Sequence, residues 1–162
     1  MMRKLGILGG MSWESTAVYY RLLNEGVRAR VGGLASARLV MSSVDFAGIA
    51  AMQAGGRWAD AGALLAEEAR GLQAAGAEAI VLATNTMHKL ADQMMQGVSI
   101  PLLHIADATA VRIQAAGLRR PGLMATAFTM EQDFYTGRLI AAGLTPLLPE
   151  AADRAETHRI IY

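Results

Sequence analysis

Three short stretches place small hydrogen-bonding side chains directly after apolar runs: LGGMS at 8–12, LATNT at 82–86 and MATAFT at 124–129. They supply Ser12, then Thr84, Asn85 and Thr86, then Thr126 and Thr129, each set where a helical pattern begins. In open parallel α/β sheets, ligands bind beyond the carboxyl ends of the strands. The free N–H groups of a helix's first turn also favour an anion. Neutral donors gathered at such points suit a small carboxylate. The plainer alternative is that Ser12, Asn85 and Thr129 only cap their helices, which explains one polar residue per turn but not the surplus. His88 stands one turn beyond Thr84, where it can serve the loop or merely its own helix.

Other chemistries find little support. GILGGM at 6–11 is not G-x-G-x-x-G, and no acid ends the second strand roughly 20 residues later; Asp45 comes too late. There is no P-loop pattern and no G-x-S-x-G. The absence of cysteine excludes disulfides and thiolate metal sites. His88, His104 and His158 are too scattered for a local metal motif, so no metal is expected. Fifteen Lys and Arg balance 14 Asp and Glu, which gives no electrostatic case for nucleic acid or an anionic membrane. No apolar run approaches the ~18 residues of a membrane span, and the N-terminal apolar stretch is too short for a signal peptide. A cytoplasmic protein is expected. With 53% hydrophobic and 18% charged residues, 162 residues can build a real core.

The elements that must hold these turns alternate. Strands are expected at 5–8, 37–43, 78–83, 100–103, 122–126 and 144–148. Helices are expected at 13–30, 60–75, 87–96, 106–116 and 130–142, with a helical tail over 151–162. Residues 42–58, around Asp45 and Gln53, read as loop or short helix. Gly76 and Gly117 are placed as helix stops. Such alternation predicts an α/β fold, a parallel sheet in a three-layer sandwich with right-handed crossovers. The strand-turn-helix theme restarts near 104–120, which suggests domains at 1–104 and 105–162, the second incomplete. The tail ends on Ile160, Ile161 and Tyr162 with no returning strand, so the chain is expected to be part of a longer protein. His104 follows a strand and receives no role; His158, on the tail, is read as solvated.

Four segments, KLGILGGMSWESTAVYYRLLN (4–24), SVDF (43–46), VLATNTMH (81–88) and PGLMATAFTMEQDFY (121–135), run through nearly the whole chain. Together they resemble the aspartate/glutamate racemase family, in its aspartate-racemase-like branch with broad-specificity amino acid racemases. The resemblance implies two pseudo-symmetric α/β domains with the substrate between them. It also implies racemisation without a cofactor, by one acid/base residue on each face of the α-carbon. Thr84 takes the first proton-transfer position, where the family usually has the cysteine of a C-N-T-x-H motif. Cysteine suits that task because its two protonation states lie close to neutral pH, whereas a threonine hydroxyl is a poor base without an activating partner. Some broad-specificity members carry threonine here. By the same resemblance Asn85 and Thr86 hold the substrate carboxylate. Met11, Ser12 and Gln53 line the pocket, Thr126 is the second-domain threonine, and His88 stands behind Thr84. The family's second cysteine, in a downstream glycine-cysteine-threonine segment, is not among these 162 residues. The expectation is therefore a pyridoxal-phosphate-independent racemase of a small amino acid or dicarboxylate, a homodimer, and inactive as 162 residues alone. The alternative is a non-catalytic carboxylate-binding module on the same scaffold.

Overall fold

The first strand, β1 (Leu5–Gly9), is buried from Gly6 onward, as expected of a strand covered on both faces of a parallel sheet. It lies in the middle. In the computed structural model, which describes residues 2–161, β2 (Leu39–Ser43) and β3 (Ala79–Leu82) flank it in the order β2-β1-β3, all parallel. Leu5 lies opposite both Leu39 and Ala79.

The described residues form two compact units that divide between Leu103 and His104. In the first, α1 (Trp13–Val31) joins β1 to β2. Two helices, α2 (Phe46–Ala54) and α3 (Trp58–Ala74), then lead back across the sheet to β3. Right-handed crossovers running in opposite directions put α1 and the α2–α3 pair on opposite faces, which makes three layers. Helix α1 packs against β1, and α3 against all three strands. After β3 comes a 3-10 helix, Thr86–Leu90, which runs into the short α4 (Ala91–Met94).

Ala61, Leu65, Ala69 and Leu72 form the buried stripe of α3, at the spacing a helix needs to face a sheet. They meet Leu8, Ile80 and Leu82 of the strands, Ile49 of α2, and Met87, Leu90 and Met94. Gly76, with φ +85°, turns the chain out of α3.

The second unit holds α5 (Ile105–Ala115), α6 (Ala127–Glu131), α7 (Asp133–Ala141) and α8 (Ala151–Ile161). Its core is Ala106, Ala110, Tyr135, Leu139 and Leu144. Helices α5 and α7 are tied at their surface by Arg138 and Asp107, 2.9 Å apart. Among the described residues no helix is long and apolar enough to cross a membrane.

The α/β class with a parallel sheet is as expected, but three expected strands shrink. The segment at 100–103 adds a single parallel bridge, Leu102 to Ile80, on the outer side of β3. The segments at 122–126 and 144–148 likewise meet in one bridge, Gly122 to Leu147. Proline explains the brevity, since it cannot donate to a ladder: Pro101 sits in the first segment, Pro121 precedes the second, and Pro146 lies within the third with Pro149 just beyond it. The helix expected over 130–142 is two helices, broken at Gln132, whose backbone is extended. Residues 46–54 form a regular helix capped by Asp45, whose carboxylate accepts from Ala47 N at 3.1 Å. His158 is not simply solvated: its Nδ1 accepts from Ala127 N at 3.3 Å, and its ring meets Phe128 edge-on. Tyr162 lies outside the described residues.

Leu65 is fully buried beneath the sheet, and both tryptophans, Trp13 and Trp58, belong to this unit. Leu65→Ala should remove about 2–5 kcal/mol of stability, the usual cost of a core truncation that leaves a cavity. Urea unfolding followed by tryptophan fluorescence checks this, and a loss under about 1 kcal/mol would contradict the packing described.

Candidate functional site

Because β1 and β3 are neighbours with Leu8 opposite Leu82, the turns that follow them leave the sheet side by side. Each flanking strand, β3 and β2, is tied to β1 one residue beyond its end: Ala83 N donates to Leu8 O at 2.8 Å, and Val44 N to Gly9 O at 3.0 Å. The turn after β1 then bends at Gly10, with φ +91°. A side chain there would be strained and would also run into the backbone of Val44. The Met11–Ser12 peptide is cis.

Two hydroxyls in the first turn of α1 hold this bend, and both escaped the sequence reading. Thr16, buried, accepts from Gly10 N at 2.9 Å and donates to Ser12 O at 3.0 Å. Ser15 Oγ lies 3.0 Å from Ser12 O and 3.3 Å from Ala83 O, so it reaches from the first turn to the third strand. The only signal available in the sequence was their spacing, three and four residues beyond Ser12, where helical hydroxyls reach back to carbonyls. On the far side of Thr84, His88 Nδ1 donates to the Thr84 carbonyl at 2.7 Å. That contact fixes the tautomer, since a carbonyl can only accept.

The residues expected at the site divide as follows. Ser12 and Thr84 are half-buried and Asn85 is exposed, all on these two turns. Ser12 and Asn85 occupy the N-cap positions of α1 and of the 3-10 helix, yet neither side chain makes a capping hydrogen bond. Simple capping therefore does not account for them. Gln53, at the end of α2, reaches the same region, with Nε2 donating to Met87 Sδ at 3.0 Å. Thr86 is buried behind the turn, and the Met11 side chain packs into the core.

Thr126, in the second unit, behaves differently. It caps α6, accepting from Thr129 N at 3.4 Å, with the two threonine hydroxyls 3.2 Å apart. The cap there is thus Thr126, not Thr129. His104 is likewise a cap: it is buried at the start of α5 and accepts from Ala106 N at 3.1 Å. Among the described residues no three His, Asp or Glu side chains are grouped as metal ligands are.

In chemical terms, the first unit offers neutral hydroxyl and carboxamide groups on two adjacent strand-end turns, with the backbone beneath them locked. Such groups can hold a carboxylate without a formal positive charge.

Known structures carry the same fold. A crystal structure from Yersinia pestis, named for the Asp/Glu racemases, is 51% identical, with a TM-score of 0.92 over 99% of this chain and 70% of its own. An aspartate racemase homologue from Pyrococcus horikoshii is 34% identical, with a TM-score of 0.84 over 99% of this chain and 70% of its own. Aspartate racemase from Picrophilus torridus, at 19% identity, shares the fold, with a TM-score of 0.76 over 98% of this chain and 73% of its own. The model of the Asp/Glu/hydantoin racemase family matches residues 8–161. A match of that length, together with structural relatives at 51% and 34% identity, leads to one conclusion: the chain belongs to the Asp/Glu/hydantoin racemase family.

Proposed function

We propose that this chain is a cytoplasmic, pyridoxal-phosphate-independent amino acid racemase of broad specificity. It binds an amino acid or dicarboxylate through the carboxylate and exchanges the α-proton at Thr84. Family and fold support an Asp/Glu-type racemase function, that of an isomerase. The observation that carries the site is the pair of unused caps: Ser12 and Asn85 stand at helix starts without capping them.

In this mechanism Asn85 and Ser12 bind the carboxylate with Gln53 beside them, while the buried Met11 and Thr86 shape the two turns from beneath. Electron density left on the α-carbon when its proton departs spreads onto that carboxylate, and the same donors stabilise it more strongly as the charge grows. Thr84 takes the proton from one face as its own hydroxyl proton passes to a base in the pocket. A hydroxyl does so only when activated by a neighbour, and the His88 Nδ1 is committed to the Thr84 backbone. Through that nitrogen His88 orients the loop. Residues 1–104 act as the first racemase domain, and 105–162, with Thr126, belong to the second. Inversion needs a second proton-transfer group on the opposite face of the α-carbon.

Proton NMR in D2O tests this directly. Loss of the α-hydrogen signal of aspartate is the expected result. Thr84→Ala should abolish exchange while aspartate binding by calorimetry persists. Asn85→Ala should instead weaken binding by about 1–3 kcal/mol, as an unpaired polar partner does. Near-normal exchange in Thr84→Ala would remove Thr84 from the chemistry. Binding with no exchange in the parent protein would favour the carboxylate-binding module.

Independence from pyridoxal phosphate predicts no Schiff-base absorbance in the purified protein and no loss of exchange after borohydride. A band abolished by borohydride would refute it.

We also expect a homodimer. Leu34 is 99% exposed, and Trp13 and Val31 of the same unit are largely so, and burying such side chains against a second copy would favour pairing. Light scattering at micromolar concentration should give twice the 17.2 kDa chain mass; a stable monomer would refute the dimer.

A further inference from the structure

The direction of a side chain is set by the two peptide planes on either side of its Cα. For Thr84 these are the plane carrying the Ala83 carbonyl and the plane carrying its own carbonyl. Both carbonyls receive a side-chain donor. His88 Nδ1 reaches the Thr84 oxygen at 2.7 Å, and Ser15 Oγ reaches the Ala83 oxygen at 3.3 Å. Ala83 is held from its other end too, where its N–H donates to Leu8 O at 2.8 Å. We infer that Ser15 is a positioning residue for Thr84, a hydroxyl on α1 that fixes the peptide plane preceding it.

Ser15 has one proton and two acceptors within its reach, Ser12 O at 3.0 Å and Ala83 O at 3.3 Å. One hydroxyl sets the Ser12 turn and the Thr84 turn in register, although the residues lie 68 positions apart. Helical position explains why a hydroxyl is needed here: α1 starts at Trp13, so Ser15 falls in its first turn, half-buried. Alanine would keep the helix and lose only the link. Thr16 does not duplicate this role, because its hydroxyl is committed to Gly10 N and Ser12 O.

The inference rests on Thr84 as the proton-transfer residue, and the test separates the two. α-Hydrogen exchange of aspartate in D2O is measured for the parent protein, Ser15→Ala, Ser15→Thr and Thr84→Ala. Amide hydrogen exchange is followed over 83–88, with 61–72 in α3 as a folding control. Ser15→Ala should lower the saturated rate by about ten- to a hundredfold, as misplaced catalytic groups do, with the half-saturating aspartate concentration changed by less than about twofold. Ser15→Thr should restore most of the rate. Amides of 83–88 should exchange faster in Ser15→Ala, while 61–72 stay protected.

An unchanged α-hydrogen rate in Ser15→Ala, with Thr84→Ala inactive, would overturn the role of Ser15 alone. Lost protection in 61–72 would also overturn it, by making Ser15 a general folding residue. An active Thr84→Ala, or no α-hydrogen exchange in the parent protein, would instead overturn Thr84 as the proton-transfer residue. In that case faster amide exchange confined to 83–88 would still support the Ser15 link, and unchanged amides would overturn it.

Discussion

The close approach of α1 to β1 is the constraint on which the strand ends depend. Gly9 ends the central strand without a Cβ, and an added one would collide with the Thr16 side chain. That vacancy lets Thr16 sit against the strand and bind Gly10 N at 2.9 Å. Gly10 in turn takes a positive φ that other residues rarely adopt. Because β1 pairs on both edges, a shift at this corner would pass to β2 through Val44 and to β3 through Ala83. The corner is stiff because three parts of the chain share it.

That stiffness allows the polar side chains above it to remain uncommitted. A serine or asparagine that caps its helix stabilises it by about 1 kcal/mol, and Ser12 and Asn85 forgo this. The α3 packing and the buried 3-10 turn anchor the unit instead. In the second unit the balance is the ordinary one: Thr126 caps α6 and His104 caps α5. The same residue types thus have different parts, decided by what surrounds them. A carboxylate bound by neutral donors fits the first arrangement, since helix-start N–H groups supply part of the positive potential.

Much of the framework was legible in the residues. The buried stripe of α3 follows from its leucine and alanine spacing, and β1 from a short apolar run stopped by two glycines. Both are local signals, so neighbours in sequence suffice. The short strands were over-read for an equally physical reason. Apolar composition at 100–103, 122–126 and 144–148 looks like strand, but prolines in or beside them leave only single bridges. Gln132 breaks a helix with no glycine or proline to announce it.

By itself the sequence determined which residues stand at the strand ends, since Ser12, Thr84, Asn85 and Thr86 follow apolar runs and precede helices. It also carried the family resemblance, because four motifs in order are a linear property. Only the tertiary structure decided what supports those residues. Ser15 meets Ala83 across 68 positions, Gln53 meets Met87 across 34, and His158 meets Ala127 across 31. It also decided that Met11 and Thr86 are buried and that His104 is a cap. Hydrogen bonds between distant residues depend on how strands are ordered and how closely helices pack, and neither is written in local spacing.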